Sequence, residues 1–150
     1  MYCASCNDNA GSQQADVPAT DTTAHGSPID HTPLPLDGCY RLTANADTVI
    51  MRLNVKDSLV SGDLSYRLVA KDRNDGSIKG VLRNNLIIAN YTFRSEGMMS
   101  VRQVAFKVVG TSLVEGYGDL DTRGDTVRFK DVSNLTFQND RPLNKIPCFE

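Results

Sequence analysis

Thr48-Val49-Ile50-Met51-Arg52-Leu53-Asn54-Val55 decides the fold. Val49, Met51, Leu53 and Val55 fall on one face of this run and alternate with Arg52 and Asn54. That period of two belongs to an extended strand with one buried face. Leu59–Val69 repeats it, with Val60, Gly62, Leu64, Tyr66 and Leu68 aligned.

Working outward, the same pattern recurs between turn signals. A first strand is expected over Cys39–Thr43, before the quoted run. Asp72-Arg73-Asn74-Asp75-Gly76 reads as a hairpin turn from its Asn, Asp and Gly residues. Further strands are expected over Ser77–Arg83, Leu86–Arg94, Ser100–Val109, Leu113–Leu120 and Thr126–Lys130, with a last short one near Leu135–Phe137. Asn84-Asn85 and Gly110-Thr111 supply turns. There is no helical face of useful length. Short sequential connections favour a meander. A meander of this size removes its exposed edges by closing on itself. The expected fold is all-β: a small up-and-down antiparallel β-barrel of eight to nine strands, lipocalin-like, over residues 38–150. A two-sheet sandwich is the alternative.

Cys39 opens the first strand and Cys148 follows the last. Barrel closure brings those ends together, so a Cys39–Cys148 disulfide is expected, with two buried free thiols as the other reading.

The residues before the barrel are of another kind. Cys3-Ala4-Ser5-Cys6 is followed by a polar segment, residues 7–37, rich in Asp, Asn, Gln, Ser, Thr, Gly and Pro. Such a composition buries too little to offset its ordering entropy, so a disordered linker is expected. Pro28, Pro33 and Pro35 stiffen its end. Ala4-Ser5-Cys6 resembles the end of a lipobox, with Cys3 in place of the usual Leu. The resemblance implies that residues 1–6 are the remnant of a lipoprotein signal and that Cys6 is acylated. Met1-Tyr2 is too short to be a signal's apolar core, so the chain is expected to begin inside that signal. The implied address is the bacterial cell envelope, with a lipid anchor, the outer membrane ahead of the inner. A redox or metal role for Cys3 and Cys6 needs a helix after them, and the only histidines, His25 and His31, lie in the linker. Asp21-Thr22-Thr23 resembles an O-glycosylation motif; an unmodified polar triplet is the plainer reading.

A net charge of -2 gives no footprint for nucleic acid. No apolar run approaches the roughly 18 residues of a membrane span. The barrel region holds no histidine, which removes Ser–His or Cys–His catalysis there and most zinc sites. Asp119–Gly124 begins like a calcium loop, but Arg123 stands at a ligand position and Lys130 where the closing Glu belongs. Arg123-Gly124-Asp125 reads as a turn, and two sequons, at Asn90 and Asn134, matter only in a eukaryotic secretory route. No cofactor or metal is expected.

One polar constellation remains: Glu96, Arg102 and Glu115, with Tyr66, Tyr91 and Tyr117. Arg102 shares the parity of Val104 and Phe106 and is expected to point inward. An inward Arg needs a partner, and Glu96 or Glu115 is the expected one. The group is either an ion pair closing one barrel end or the charged floor of a ligand pocket. Gly116 and Gly118 share a face and leave room for a tyrosine ring or a ligand.

Gly38-Cys39-Tyr40, Tyr91–Gly97, Ser100–Phe106 and Glu115-Gly116-Tyr117-Gly118 together resemble a group of uncharacterised Gram-negative envelope lipoproteins. That resemblance implies lipoprotein export and a small β-barrel, and it carries over no functional residues. A more distant likeness is to envelope-stress and copper-resistance lipoproteins, whose C-x-x-C lies within the barrel rather than before a linker. The expected function is a membrane-anchored, non-enzymatic binding module for a small apolar or amphipathic ligand. The alternative is a protein-interaction or envelope-stress-sensing lipoprotein with a filled barrel. A carboxylate hydrolase using Glu96 and Glu115 is a third, remoter reading. Expected partners are the lipid bilayer, through acylated Cys6, and a small ligand or an envelope protein. An apolar cavity of roughly 300 Å³ or more separates the first two readings.

Overall fold

The computed structural model describes residues 35–149. It holds eleven strands: β1 Gly38–Ala44, β2 Asp47–Lys56, β3 Leu59–Arg67, β4 Asn74–Arg83, β5 Leu86–Ser95, β6 Met98–Val109, β7 Ser112–Tyr117, β8 Leu120–Arg123, β9 Thr126–Phe129, β10 Thr136–Phe137 and β11 Leu143–Ile146. There is no helix among the described residues. Strands β1 to β7 run as consecutive antiparallel neighbours, and β11 lies between β7 and β1. Leu143 pairs with Leu113 and Cys39 with Ile146, so eight strands close a barrel. The fold is all-β, a small lipocalin-like barrel carrying three additional short strands.

Alternation fills the interior. Val49, Met51 and Leu53 of β2 are 2%, 0% and 1% exposed, while Arg52 and Asn54 face out. Tyr40, Leu64, Ile78, Ile87, Tyr91, Phe106, Leu113 and Leu143 join them as fully buried side chains. The barrel is thus a packed core, as expected when eight strands leave an interior just wide enough for side chains.

Cys39 and Cys148 form the expected disulfide, with Cα atoms 5.1 Å apart. Asn84 and Asn85 make the β4–β5 turn at φ 51° and 60°, the left-handed pair that a two-residue hairpin requires.

Four sequence expectations need correction. The β3–β4 turn does not occupy Asp72–Gly76; β4 already begins at Asn74, and the loop spans residues 68–73. Gly76 serves packing: a Cβ there would lie 2.8 Å from the Tyr91 ring. The seventh strand stops at Tyr117 rather than Leu120, where the chain leaves the barrel. β8 and β9 form a separate hairpin, and β9 runs parallel to β6 through Val101↔Thr126 and Arg102↔Val127. Its parallel sense follows because the β8–β9 hairpin returns the chain along the edge of β6 that β7 has vacated. The closing strand is β11, which the alternation did not announce, rather than Leu135–Phe137. Pro35–Asp37, assigned to the linker, lie against the barrel instead. Leu36 packs on the core, its carbonyl accepts from Tyr40 Oη at 2.7 Å, and the Pro35 carbonyl accepts from Lys145 Nζ. Cys3, Cys6, His25, His31 and the linker as far as Leu34 lie outside the described residues.

Candidate functional site

The β1–β2 turn, the β3–β4 loop, the end of β7 and the 138–142 segment meet at one end of the barrel. Glu115 forms the floor there. It shares the inward parity of Leu113 on β7 and is 8% exposed. Tyr66 on β3 donates its phenol to Glu115 Oε1 at 2.6 Å across the interior. The Tyr117 phenol, two residues on from Glu115, stands on the same side of the strand and lines the same pocket as the carboxyl. Burial pushes the Glu115 carboxyl above its usual range, against the opposing pull of the two phenols and of Arg102 and Arg141. Desolvation wins because phenols are neutral donors and neither guanidinium touches the carboxylate. The same burial, with Glu115 beside them, raises both phenols, so Tyr66 and Tyr117 stay protonated and Tyr66 keeps donating.

Arg102 points inward, as its parity requires, but it finds neither expected partner. Its guanidinium lies 5.1 Å from the Tyr66 ring centroid, and 5.7 Å from those of Tyr91 and Phe93. An aromatic cage takes the place of the ion pair, since ring faces attract a cation without themselves being ionised. Tyr91 and Phe93 stack at 4.8 Å, and the Tyr91 hydroxyl donates to the Asn74 carbonyl at 3.0 Å. Burial pushes the Tyr91 phenol up to about 12. Arg102 Nε is buried and has no hydrogen-bond partner.

Glu96 does not join the site. It is exposed in the β5–β6 turn at φ 49°. Glu115 pairs with Phe106, ten positions along β6 from Glu96, on the order of 30 Å at 3.3 Å per residue. The two carboxyls therefore form no catalytic pair. The space beside Gly116 and Gly118 is also taken. Phe137 covers Gly116 and Leu135 covers Gly118, each within 2.8 Å of where a Cβ would stand.

Two residues that the alternation did not single out complete the site. Asp47 Oδ2 accepts from Arg141 Nη2 at 3.0 Å, and Asp47 Oδ1 accepts from the Val69 N–H at 2.8 Å. These bonds hold the Asp47 carboxyl below its usual range. Arg141 Nε, like that of Arg102, is buried without a partner. The pair spans 94 residues, and Arg141 sits in a segment without periodicity, so only barrel closure unites them.

Between these groups lies a pocket of about 220 Å³. Leu42, Val49, Leu68 and Val69 give it apolar wall, and Asp47, Tyr66, Lys71, Glu115, Tyr117, Gln138 and Arg141 give it polar wall. A smaller hollow of about 80 Å³ shares Glu115 and Tyr117 and brings in Arg102 and Gln103. Larger hollows of about 440 and 590 Å³ run along the strand surfaces, lined by Arg52, Asp63 and Asp75 in one and Lys56, Leu59 and Lys79 in the other. Both are open and contain no buried charged side chain. Among the described residues, no group of three His, Cys, Asp or Glu is placed to hold a metal ion.

No family model matches the chain, and no curated protein or solved structure is significantly similar to it.

Proposed function

We propose that the chain is a non-enzymatic binding module that takes up one small amphipathic molecule at the polar mouth of its barrel. The observation that carries this reading is the 220 Å³ pocket, which sets apolar wall against a buried carboxyl, two phenols and a guanidinium. A mixed lining with a few convergent polar groups suits a ligand that must be oriented as well as covered. The filled core and a mouth pocket below roughly 300 Å³ count toward the filled-barrel alternative and restrict the binding reading to a small guest held at the mouth. The lipobox-like Ala4-Ser5-Cys6 supports export to the bacterial envelope and anchoring through an acylated Cys6, with the polar segment as tether. The likeness to uncharacterised Gram-negative envelope lipoproteins belongs to the same proposal.

Native mass spectrometry of the full chain purified from its host tests it. The expected result is a one-to-one small-molecule adduct and a diacyl- or triacyl-modified Cys6. A second reading, an envelope protein-interaction module, is favoured by Val69 on the β3–β4 loop and Met98 and Met99 at the start of β6, exposed at 59%, 72% and 60% at the same end. Recovery of an adduct-free chain bound to another protein would establish that second reading in place of the first.

A further inference from the structure

We infer that the mouth pocket receives an anionic head group, and that its ligand is a short-chain carboxylic acid. This rests on the small-ligand reading above and narrows it to a chemical class.

The inventory of donors and acceptors points there. Both acidic side chains of the pocket are already engaged. Asp47 accepts from Arg141 and from the Val69 N–H, and Glu115 accepts from the Tyr66 phenol. The cations are not. Arg141 commits Nη2 to Asp47, while its Nε is buried and partnerless among the described residues. Arg102 lies outside this pocket, in the adjoining hollow that shares Glu115 and Tyr117, where the rings hold its guanidinium and its Nε is buried without a hydrogen-bond partner. A guanidinium has five N–H donors and no acceptor, so what the site lacks is an acceptor. The one orphaned acceptor nearby, Asn74 Oδ1, is not part of the pocket lining.

Charge agrees with this count. Lys71, Arg141 and Arg102 face Asp47 and Glu115. Lys71 and Arg141 balance the two carboxyls within the pocket, and Arg102 in the adjoining hollow adds a third positive charge. An incoming carboxylate restores balance and offers the geometry that Arg binds best.

Shape sets the tail. Leu42, Val49, Leu68 and Val69 line one side, and the filled core stops a chain from running deeper. A volume of 220 Å³ equals about seven waters at ~30 Å³ each, room for an acid of about four to eight carbons.

The test titrates the full chain with hexanoate, hexanol and hexylamine at one ionic strength and pH 6, following backbone amide shifts at Asp47, Val69, Lys71 and Tyr117. Hexanoate should saturate these shifts at least tenfold more tightly than hexanol or hexylamine. Arg141→Gln should abolish that preference while hexanol binding stays as it was. Should Arg141→Gln not fold, Lys71→Gln, at an exposed residue, should cut the preference about threefold. Equal or tighter binding of hexanol or hexylamine at the same residues overturns the anion assignment and leaves the mouth reading standing. A preference unmoved by these substitutions also overturns the assignment. No shift with any of the three probes overturns both readings.

Discussion

Where β1 begins and β11 ends, a disulfide, Leu36 and the Tyr40 ring shut the barrel; at the opposite end, Asp47, Lys71, Glu115 and Arg141 surround a hollow. The closed end uses contacts that lose nothing on burial: apolar packing, a covalent tie and a phenol that reaches a backbone carbonyl. The open end buries a carboxyl and parts of two guanidinium groups, each costly without a partner. Low-cost packing and costly buried polar groups are thus placed at opposite ends of one core. Changes at the closed end should lower stability most and leave the mouth intact, and changes at the mouth should cost less stability and alter the mouth itself.

The largest effect belongs to the closed end. Replacing Cys39 and Cys148 together with Ser opens a loop with a sequence separation of 109 residues. Chain entropy sets the loss at about 4–5 kcal/mol. Urea unfolding of the double variant against the oxidised parent measures it. Amide shifts around Asp47 and Glu115 should be unchanged at low denaturant. Movement there would show that the two ends are not independent.

At the open end, Tyr66→Phe removes a phenol that holds Glu115 Oε1 at 2.6 Å. Hydrogen bonds to charged groups contribute about 1.5–3 kcal/mol, so the loss should fall in that range at neutral pH. It should shrink in acid, where the carboxyl is protonated. The same carboxyl gives the mouth a pH signature. Its native pKa is raised by burial, so the native state binds the Glu115 proton more tightly than the unfolded chain. That contribution is full below the ordinary Glu value of 4.5 and is lost as pH rises through the raised native value. Asp47, Asp75 and Asp131 act oppositely. Their lowered values give stability above the ordinary 3.8 that is lost on acidification. The melting temperature of the parent should therefore decline as the pH rises above the ordinary Glu value of 4.5, and Glu115→Gln should remove that decline. An identical decline in the variant would assign it elsewhere.

The two ends also differ in how far the sequence announces them. Strands β1 to β7 are legible because each alternates apolar and polar residues against a filled interior. β11 is not, since Leu143-Asn144-Lys145-Ile146 has too few residues to show a period. It is a strand because β7 and β1 leave a gap that only a strand fills, a tertiary demand that overrides local pattern. Asn74-Asp75-Gly76 misleads for the converse reason. Its turn-forming residues are drawn into β4, where Asp75 accepts from Ser65 Oγ and Gly76 makes way for Tyr91. At the mouth, parity located Arg102 and Tyr66 but not their partners. Whether an inward Arg meets a carboxylate or a ring depends on strand stagger, which periodicity does not carry. Asp47 showed no signal because it precedes the apolar part of the β2 alternation, and Arg141 because its segment has no periodicity.

Arg102→Ala sharpens this point. Severing a buried ion pair costs about 3–5 kcal/mol. An aromatic cage holds its cation by less, and a loss of about 1–2 kcal/mol is expected. Denaturant unfolding decides between these values, and a loss above 3 would mean that Arg102 and Glu115 are more tightly coupled than their geometry implies.

The smallest effect comes from the turns. At the closed end the β4–β5 hairpin places Asn84 and Asn85 in the left-handed region, which Asn tolerates. At the open end the β1–β2 hairpin places Asn45 and Ala46 there, with Ala46 at φ 69°. An Ala in that region sets its Cβ against a carbonyl, at about 1–2 kcal/mol. Glycine relieves this strain but adds freedom to the unfolded chain, which offsets part of the gain. Ala46 is exposed, so no packing is lost. Ala46→Gly should therefore stabilise the chain by about 0.5–1 kcal/mol. Asn85→Gly, the same change at the closed end, should stay within about 0.3 kcal/mol of the parent, because Asn already accepts that conformation. Equal responses at the two turns would show that Ala46 carries no strain. A gain at Ala46 alone would show that the open end carries backbone strain as well as buried charge, a second reason for the closed end to hold the disulfide.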